Sequence, residues 1–119
     1  MSDYKPYRSF EEWSVGHAKA HRPKFFERAM SILERLRKHS EDHPGKRFKA
    51  DRIAASLGVS RTQVNNSINY LRGEGYPICS DADGYWYSEV KDDVQQTINH
   101  LQDRIYAMHY SISKLKRYI

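Results

Sequence analysis

The run Leu57-Gly58-Val59-Ser60-Arg61 constrains this chain more than any other feature. Before it, Lys49 to Leu57 puts Ile53, Ala54 and Leu57 on one side of a helix, and Gly58 supplies a residue at which a helix readily ends. After it, Ser60 offers an N-cap oxygen, and Gln63 three residues on can return a bond to the Ser60 backbone, so a new helix is expected from Arg61. Val64, Ile68 and Leu71 form the buried stripe of that second helix, which is expected to run to Arg72 and to be closed by Gly73 and Gly75. Two helices so closely joined cannot form one rod. They must turn on each other, and the pair reads as a helix-turn-helix.

The surrounding chain supplies what such a pair needs to bury its stripes. From Lys24 to Ser40, Phe25, Phe26, Ala29, Ile32, Leu33 and Leu36 recur at helical spacing, and His43-Pro44-Gly45 ends that helix. Pro77 to Ser80 and Tyr85 to Ser88 are two short runs of strand-forming character on either side of a four-residue turn, Asp81-Ala82-Asp83-Gly84, which predicts a β-hairpin. From Asp92 to the end there is neither Gly nor Pro, so one long helix is expected. The fold class is therefore mostly α with a small β-hairpin: a winged helix-turn-helix plus a long C-terminal helix. The expected division is an N-terminal arm over 1–23, the winged domain over 24–90 and the long helix over 91–119. The arm is aromatic (Tyr4, Tyr7, Phe10, Trp13), with Ser9 and Glu12 as a candidate capping box.

At 119 residues the chain is the size of one domain with appendages. No apolar run approaches the roughly 20 residues of a membrane span, and the N-terminus has no signal-peptide pattern. The single Cys79 excludes an internal disulfide and fits a reducing compartment, so a cytoplasmic protein without membrane contact is expected. Net charge is +5, and its distribution is informative. Residues 44–73 hold six Lys and Arg against one acid, whereas residues 74–103 hold one against seven. Such a split predicts one surface for a polyanion and another turned away from it.

The second helix of the pair carries side chains suited to reading DNA. Between its buried residues lie Arg61, Thr62, Gln63, Asn65, Asn66 and Asn69, the candidate base contacts. Asn and Gln match the donor and acceptor of adenine, and Arg matches the two acceptors of guanine. Lys46, Arg47, Lys49, Arg72 and the Ser60 helix start are the candidate phosphate contacts. The bland alternative is a polar solvated helix face; the turn, the cap and the charge split together favour double-stranded DNA as the partner.

Leu57-Gly58-Val59-Ser60-Arg61, then Val64, Ile68, Leu71-Arg72 and a Gly-Tyr pair in the hairpin, resemble the winged helix-turn-helix of the biotin operon repressor and its relatives. PICSDADGYWYS followed by a helix rich in Ile and Leu is also similar to small winged-helix proteins of phages and prophages. The resemblance implies operator binding through Arg61 to Arg72 with the hairpin as a wing. It departs from the pattern at the wing tip, where Asp81 and Asp83 stand in place of Lys or Gly. A carboxylate 4 Å from a phosphate is repelled by about 1 kcal/mol even in water. The wing is therefore expected to point away from phosphate.

Other constellations carry less. Asp81-x-Asp83-Gly84 is a fragment of a calcium loop without the remaining ligands, and an Asp-Gly turn explains it equally well. His17 and His21 have the spacing of two metal ligands but no accompanying Glu. No nucleophile elbow or phosphate loop occurs, so no enzyme activity, metal or cofactor is expected.

Val94, Ile98, Leu101, Ile105, Met108, Ile112, Leu115 and Ile119 repeat at intervals of 4 and 3, a heptad stripe with Ile at every a position. That pattern favours a two-stranded coiled coil, although the flanking pairs Arg104 with His109 and Ser111 with Lys116 add no complementary charge. The stripe either dimerises or packs against the chain's own first helix and arm. The reading is a homodimeric, sequence-specific DNA-binding regulator of a phage or mobile element that uses an inverted repeat. Two alternatives stand beside it: a protein-interaction module that presents Tyr85, Trp86, Tyr87 and the acidic tip, and a replication-origin-binding protein.

Overall fold

The structure, a computed structural model, describes residues 24–119. The expected arm, its capping box and the His17–His21 pair lie outside the described residues. The order is α1 (Lys24–Asp42), α2 (Ala50–Leu57), α3 (Arg61–Gly73), β1 (Ile78–Asp81), β2 (Gly84–Tyr87) and α4 (Lys91–Leu115), followed by a 3-10 turn over Lys116–Tyr118.

The core forms where three amphipathic stripes meet. Ala29, Ile32, Leu33 and Leu36 of α1 pack with Ile53 and Ala54 of α2, with Val64, Ile68 and Leu71 of α3, and with Ile78 of β1. Phe26, expected in that stripe, is 50% exposed. One position beyond Phe25, it falls at the edge of the apolar face, so Phe25 alone takes the buried place. Phe25 meets Tyr70 edge to face at 5.3 Å, which ties the start of α1 to the end of α3.

The turn between α2 and α3 follows the sequence closely. Gly58 takes up the left-handed conformation (φ 65°) and its N–H bonds to the carbonyls that α2 leaves open. Ser60 Oγ accepts from the Gln63 N–H at 3.1 Å, and Gln63 Oε1 accepts from the Ser60 N–H at 2.9 Å, which completes the capping box. Buried Ser67 is satisfied within its own helix through the Gln63 carbonyl at 2.8 Å.

β1 and β2 pair antiparallel with Asp81 opposite Gly84, so the connecting turn is Ala82-Asp83, two residues rather than four. Phe48 adds a bridge on the other edge of β2: its N–H donates to the Tyr85 carbonyl at 2.7 Å, and the Tyr85 N–H donates back at 3.0 Å. Gly84 is required where this bridging segment passes. Its φ is 138°, and a Cβ there would lie 2.7 Å from the Phe48 carbonyl oxygen. Cys79 and Trp86 face each other across the strands and are both buried, under the first turns of α4.

α4 runs along the hairpin and is tied to it by hydrogen bonds at Asp93 and Thr97. The Trp86 indole donates to Asp93 Oδ2 at 3.3 Å, and Thr97 Oγ1 accepts from the Ser80 N–H at 3.1 Å. Beyond Leu101, every residue of α4 is exposed. With 25 residues the helix is about 37 Å long, so more than a third of it extends past the domain. Among the described residues, no helix is long and apolar enough to cross a membrane.

Candidate nucleic-acid interface

The buried stripe of α3 fixes which of its side chains face outward. With Val64, Ser67, Ile68 and Leu71 inside, the opposite face is centred on Thr62, Asn66 and Asn69. Thr62 and Asn69 are exposed, and Asn66 is half-buried. Arg61 and Asn65 lie on the flank nearest the hairpin. Asn65 Oδ1 accepts from the Tyr85 hydroxyl at 2.9 Å, so the wing fixes how this amide is presented. Arg61 Nε lies 3.0 Å from Asp51 Oδ1, with both side chains more than two-thirds exposed. An ion pair so exposed contributes little, and Arg61 can leave it for a phosphate or a base at small cost.

Three of the expected DNA contacts have other employment. Gln63 Oε1 accepts from the Ser60 N–H to close the capping box, which turns the side-chain amide toward the start of the helix instead of outward. Arg72 donates from Nε to the Ile78 carbonyl at 2.8 Å and from one Nη to Ser80 Oγ at 2.9 Å, pinning the end of α3 to β1. Burial pushes its pKa down, and the neighbouring Arg104 guanidinium adds to that effect. Arg47 donates from Nε to Asp81 Oδ2 at 2.9 Å and from Nη to the Gly45 carbonyl at 2.7 Å, with its guanidinium carbon 3.5 Å above the Trp86 ring. Sequence shows the capping role of Gln63 but counts Arg47 and Arg72 as solvated donors, because their intramolecular acceptors are backbone carbonyls or side chains on another element. Lys46 and Lys49 are exposed and form no ion pair among the described residues.

The acidic turn does not point away from the recognition helix. Residues 80–85 line one cleft of about 400 Å³ together with Lys49, Asp51, Arg61 and Asn65 on one side and His100 and Arg104 of α4 on the other. Within it Asp81 is already neutralised by Arg47, and its second oxygen accepts from the Asp83 N–H at 2.9 Å, the local bond by which an Asp stabilises a tight turn. That employment accounts for the calcium-like Asp81-x-Asp83-Gly84 spacing.

Trp86 is 4% exposed, so the aromatic hairpin does not present all three rings. Tyr85 is tied to Asn65, and Tyr87 receives a long hydrogen bond of 3.4 Å from Arg37, whose guanidinium also lies over its ring. Asp93 sits behind Trp86, its carboxyl held below the ordinary carboxylate range by the Ser88 hydroxyl and then by the indole N–H. The buried Cys79 thiol is pushed up by desolvation, which makes it a poor nucleophile.

A trihelical core, a capped outward helix and a two-stranded wing define a winged helix-turn-helix. Residues 28–85 match a family model described as an HTH domain, and that segment is thus a helix-turn-helix domain. The match does not single out the biotin-operon-repressor type. No curated protein matches the chain.

Proposed function

We propose that the protein is a sequence-specific double-stranded DNA-binding regulator that works as a dimer. The observation that carries this reading is α3 itself. It begins at a complete capping box, buries one stripe, and turns Thr62, Asn66 and Asn69 outward beside Arg61 and Asn65. Medium-length amide and hydroxyl side chains on an exposed helix of a basic domain suit the edges of bases in a major groove. Exposed Lys49, which lines a cleft with Arg61 and Asn65, and exposed Lys46 supply phosphate contacts, while Arg47 and Arg72 act through the fold, one on the wing and one on the join between α3 and β1.

The exposed heptad stripe of α4 supports pairing of two copies. Ile98, Ile105, Met108, Ile112, Leu115 and Ile119 are between 43% and 87% exposed, whereas Val94 and Leu101 are half-buried beside the hairpin. Soluble proteins rarely leave so continuous an apolar row uncovered. Its resemblance to small winged-helix proteins of phages favours a regulator of a phage or mobile element. The deciding experiment selects bound duplexes from a random pool while mass is measured in solution. An enriched inverted repeat bound by two chains supports the reading, and an unenriched pool with weak, salt-insensitive binding overturns it.

A further inference from the structure

Asp93, Thr97, His100 and Arg104 follow one another at steps of four, three and four along α4, which places them in one line on the helix surface. The first two are fixed to the hairpin: Asp93 to Trp86 and Ser88, Thr97 to the Ser80 backbone. Thr97 lies beside the residue before Asp81, so α4 runs along β1 toward the turn. From Asp93 to Arg104 the helix advances about 16 Å, slightly more than the length of a four-residue strand. His100 and Arg104 therefore emerge at the wing tip, in the cleft that Lys49, Asp51, Arg61 and Asn65 also line.

The charge of α4 changes at the same place. Residues 91–103 hold one Lys against three acids (Asp92, Asp93, Asp103), whereas residues 104–119 hold Arg104, Lys114, Lys116 and Arg117 and no acid. The acidic part of α4 is the part seated on the hairpin, and the basic part begins where the helix leaves it. Of the two wing carboxylates that line this cleft, Asp81 is occupied by Arg47 and by its own turn, and Asp83 is exposed.

We propose that α4 is a second phosphate-binding element, in which Arg104, assisted by the His100 imidazole, grips the DNA backbone across the wing tip from α3. The assignment rests on the DNA-binding reading and extends its footprint beyond the helix-turn-helix. It makes the wing a spacer between Arg104 on one side and Lys49 and the Asp51-paired Arg61 on the other, and it gives an acidic wing a physical place in a DNA-binding surface.

The test uses the full-length chain and a duplex selected from the random pool, with a scrambled duplex beside it. Binding is measured over a series of salt concentrations at which wild type and variants have the same solution mass. Arg104→Ala is expected to weaken both duplexes alike, by about 3- to 10-fold at low salt. It should also flatten the plot of log affinity against log salt by about 0.9 per lost phosphate contact. Arg104→Lys should retain the slope, and adding His100→Ala to Arg104→Ala should weaken binding further. Wild-type binding with an unchanged slope in Arg104→Ala overturns the role of α4 alone. Absence of DNA binding by the wild type overturns both this assignment and the reading on which it rests.

Discussion

Arg47 reaches from the loop before α2 to place its Nε 2.9 Å from Oδ2 of Asp81, while its guanidinium covers the Trp86 ring. One side chain thus neutralises the wing tip, caps the buried indole and satisfies the Gly45 carbonyl. The pair is about one-third exposed, so its worth lies between that of a surface pair and that of a buried charge-assisted bond. Asp81→Asn should lower unfolding stability by about 1 kcal/mol in urea denaturation. Arg47→Met, which loses the stacking as well, should lower it more, and the double variant should be less destabilised than the sum. Strict additivity would mean that the two side chains do not act as a unit.

The neighbouring Asp83 is the cleaner probe of wing position, because its side chain is exposed and only its backbone holds the turn. Asp83→Lys should raise affinity for any duplex several-fold at low salt and steepen the salt dependence by about one phosphate. An unchanged salt slope would put the tip beyond reach of the backbone. Changing Asp81 to Lys as well would set two cations against each other and confuse lost folding with gained charge.

Much of this fold was legible in the sequence because local signals and burial agree. Gly58 ends α2, Ser60 and Gln63 start α3, and the apolar spacing of α1 and α3 matches the observed core. What was not legible depends on partners far along the chain. The Arg47 to Asp81 pair spans 34 positions, the Tyr85 to Asn65 bond spans 20, and Phe48 forms its bridge only because β2 passes beside it. His100 and Arg104 were hidden for another reason. A heptad count reads Arg104 as a flank of the dimer seam, whereas its spacing from Thr97 and Asp93 places it on the hairpin side. That second periodicity was present in the sequence, but nothing identified the hairpin as its partner.

The front of α3 predicts how specificity divides. Asn69→Ala and Thr62→Ala should relax preference at particular base pairs, each by about 1–3 kcal/mol of discrimination where a good base contact is lost. Lys46→Ala and Lys49→Ala should weaken the selected and scrambled duplexes equally. Gln63→Ala should act through the cap, at a cost of about 1 kcal/mol in stability, and leave the ranking of sequences unchanged. Competition binding with single-base-pair variants of the selected site checks all three, and a changed ranking in Gln63→Ala would return that residue to the base-reading set.

His39 couples stability to pH. Its ring stacks on Phe48 at 4.5 Å, and its Nδ1 is buried without a hydrogen-bond partner among the described residues. Burial lowers its pKa first, the nearby His43 lowers it further, and Asp42 opposes them. The unfolded chain should titrate near its ordinary value of about 6.5, so between that pH and the lower folded value the unfolded state binds more protons. This part of the stability is present above about pH 6.5 and is lost as pH falls through the folded value. The urea midpoint should drop between pH 7.5 and pH 5 in wild type and drop less in His39→Phe, which retains a ring against Phe48. Equal drops in both would remove His39 as the cause.

In the proposed dimer, the two stripes of α4 divide the work: one holds the helix to its own domain and the other meets the second copy. The line from Asp93 to Arg104 faces the hairpin, and the heptad row from Val94 to Ile119 lies roughly a quarter-turn around the same helix. Ile105 and Ile112 are 47% and 48% exposed, so replacing them should not disturb the winged domain. Ile105→Asp with Ile112→Asp should convert a two-chain particle to a single chain in sedimentation, while circular dichroism and the unfolding of the core are retained. Affinity for an inverted repeat should then fall to that of an isolated half-site, and affinity for the half-site should stay as in wild type. If the double variant keeps both its mass and its grip on the inverted repeat, the seam lies elsewhere, and the exposed isoleucines belong to a different partner.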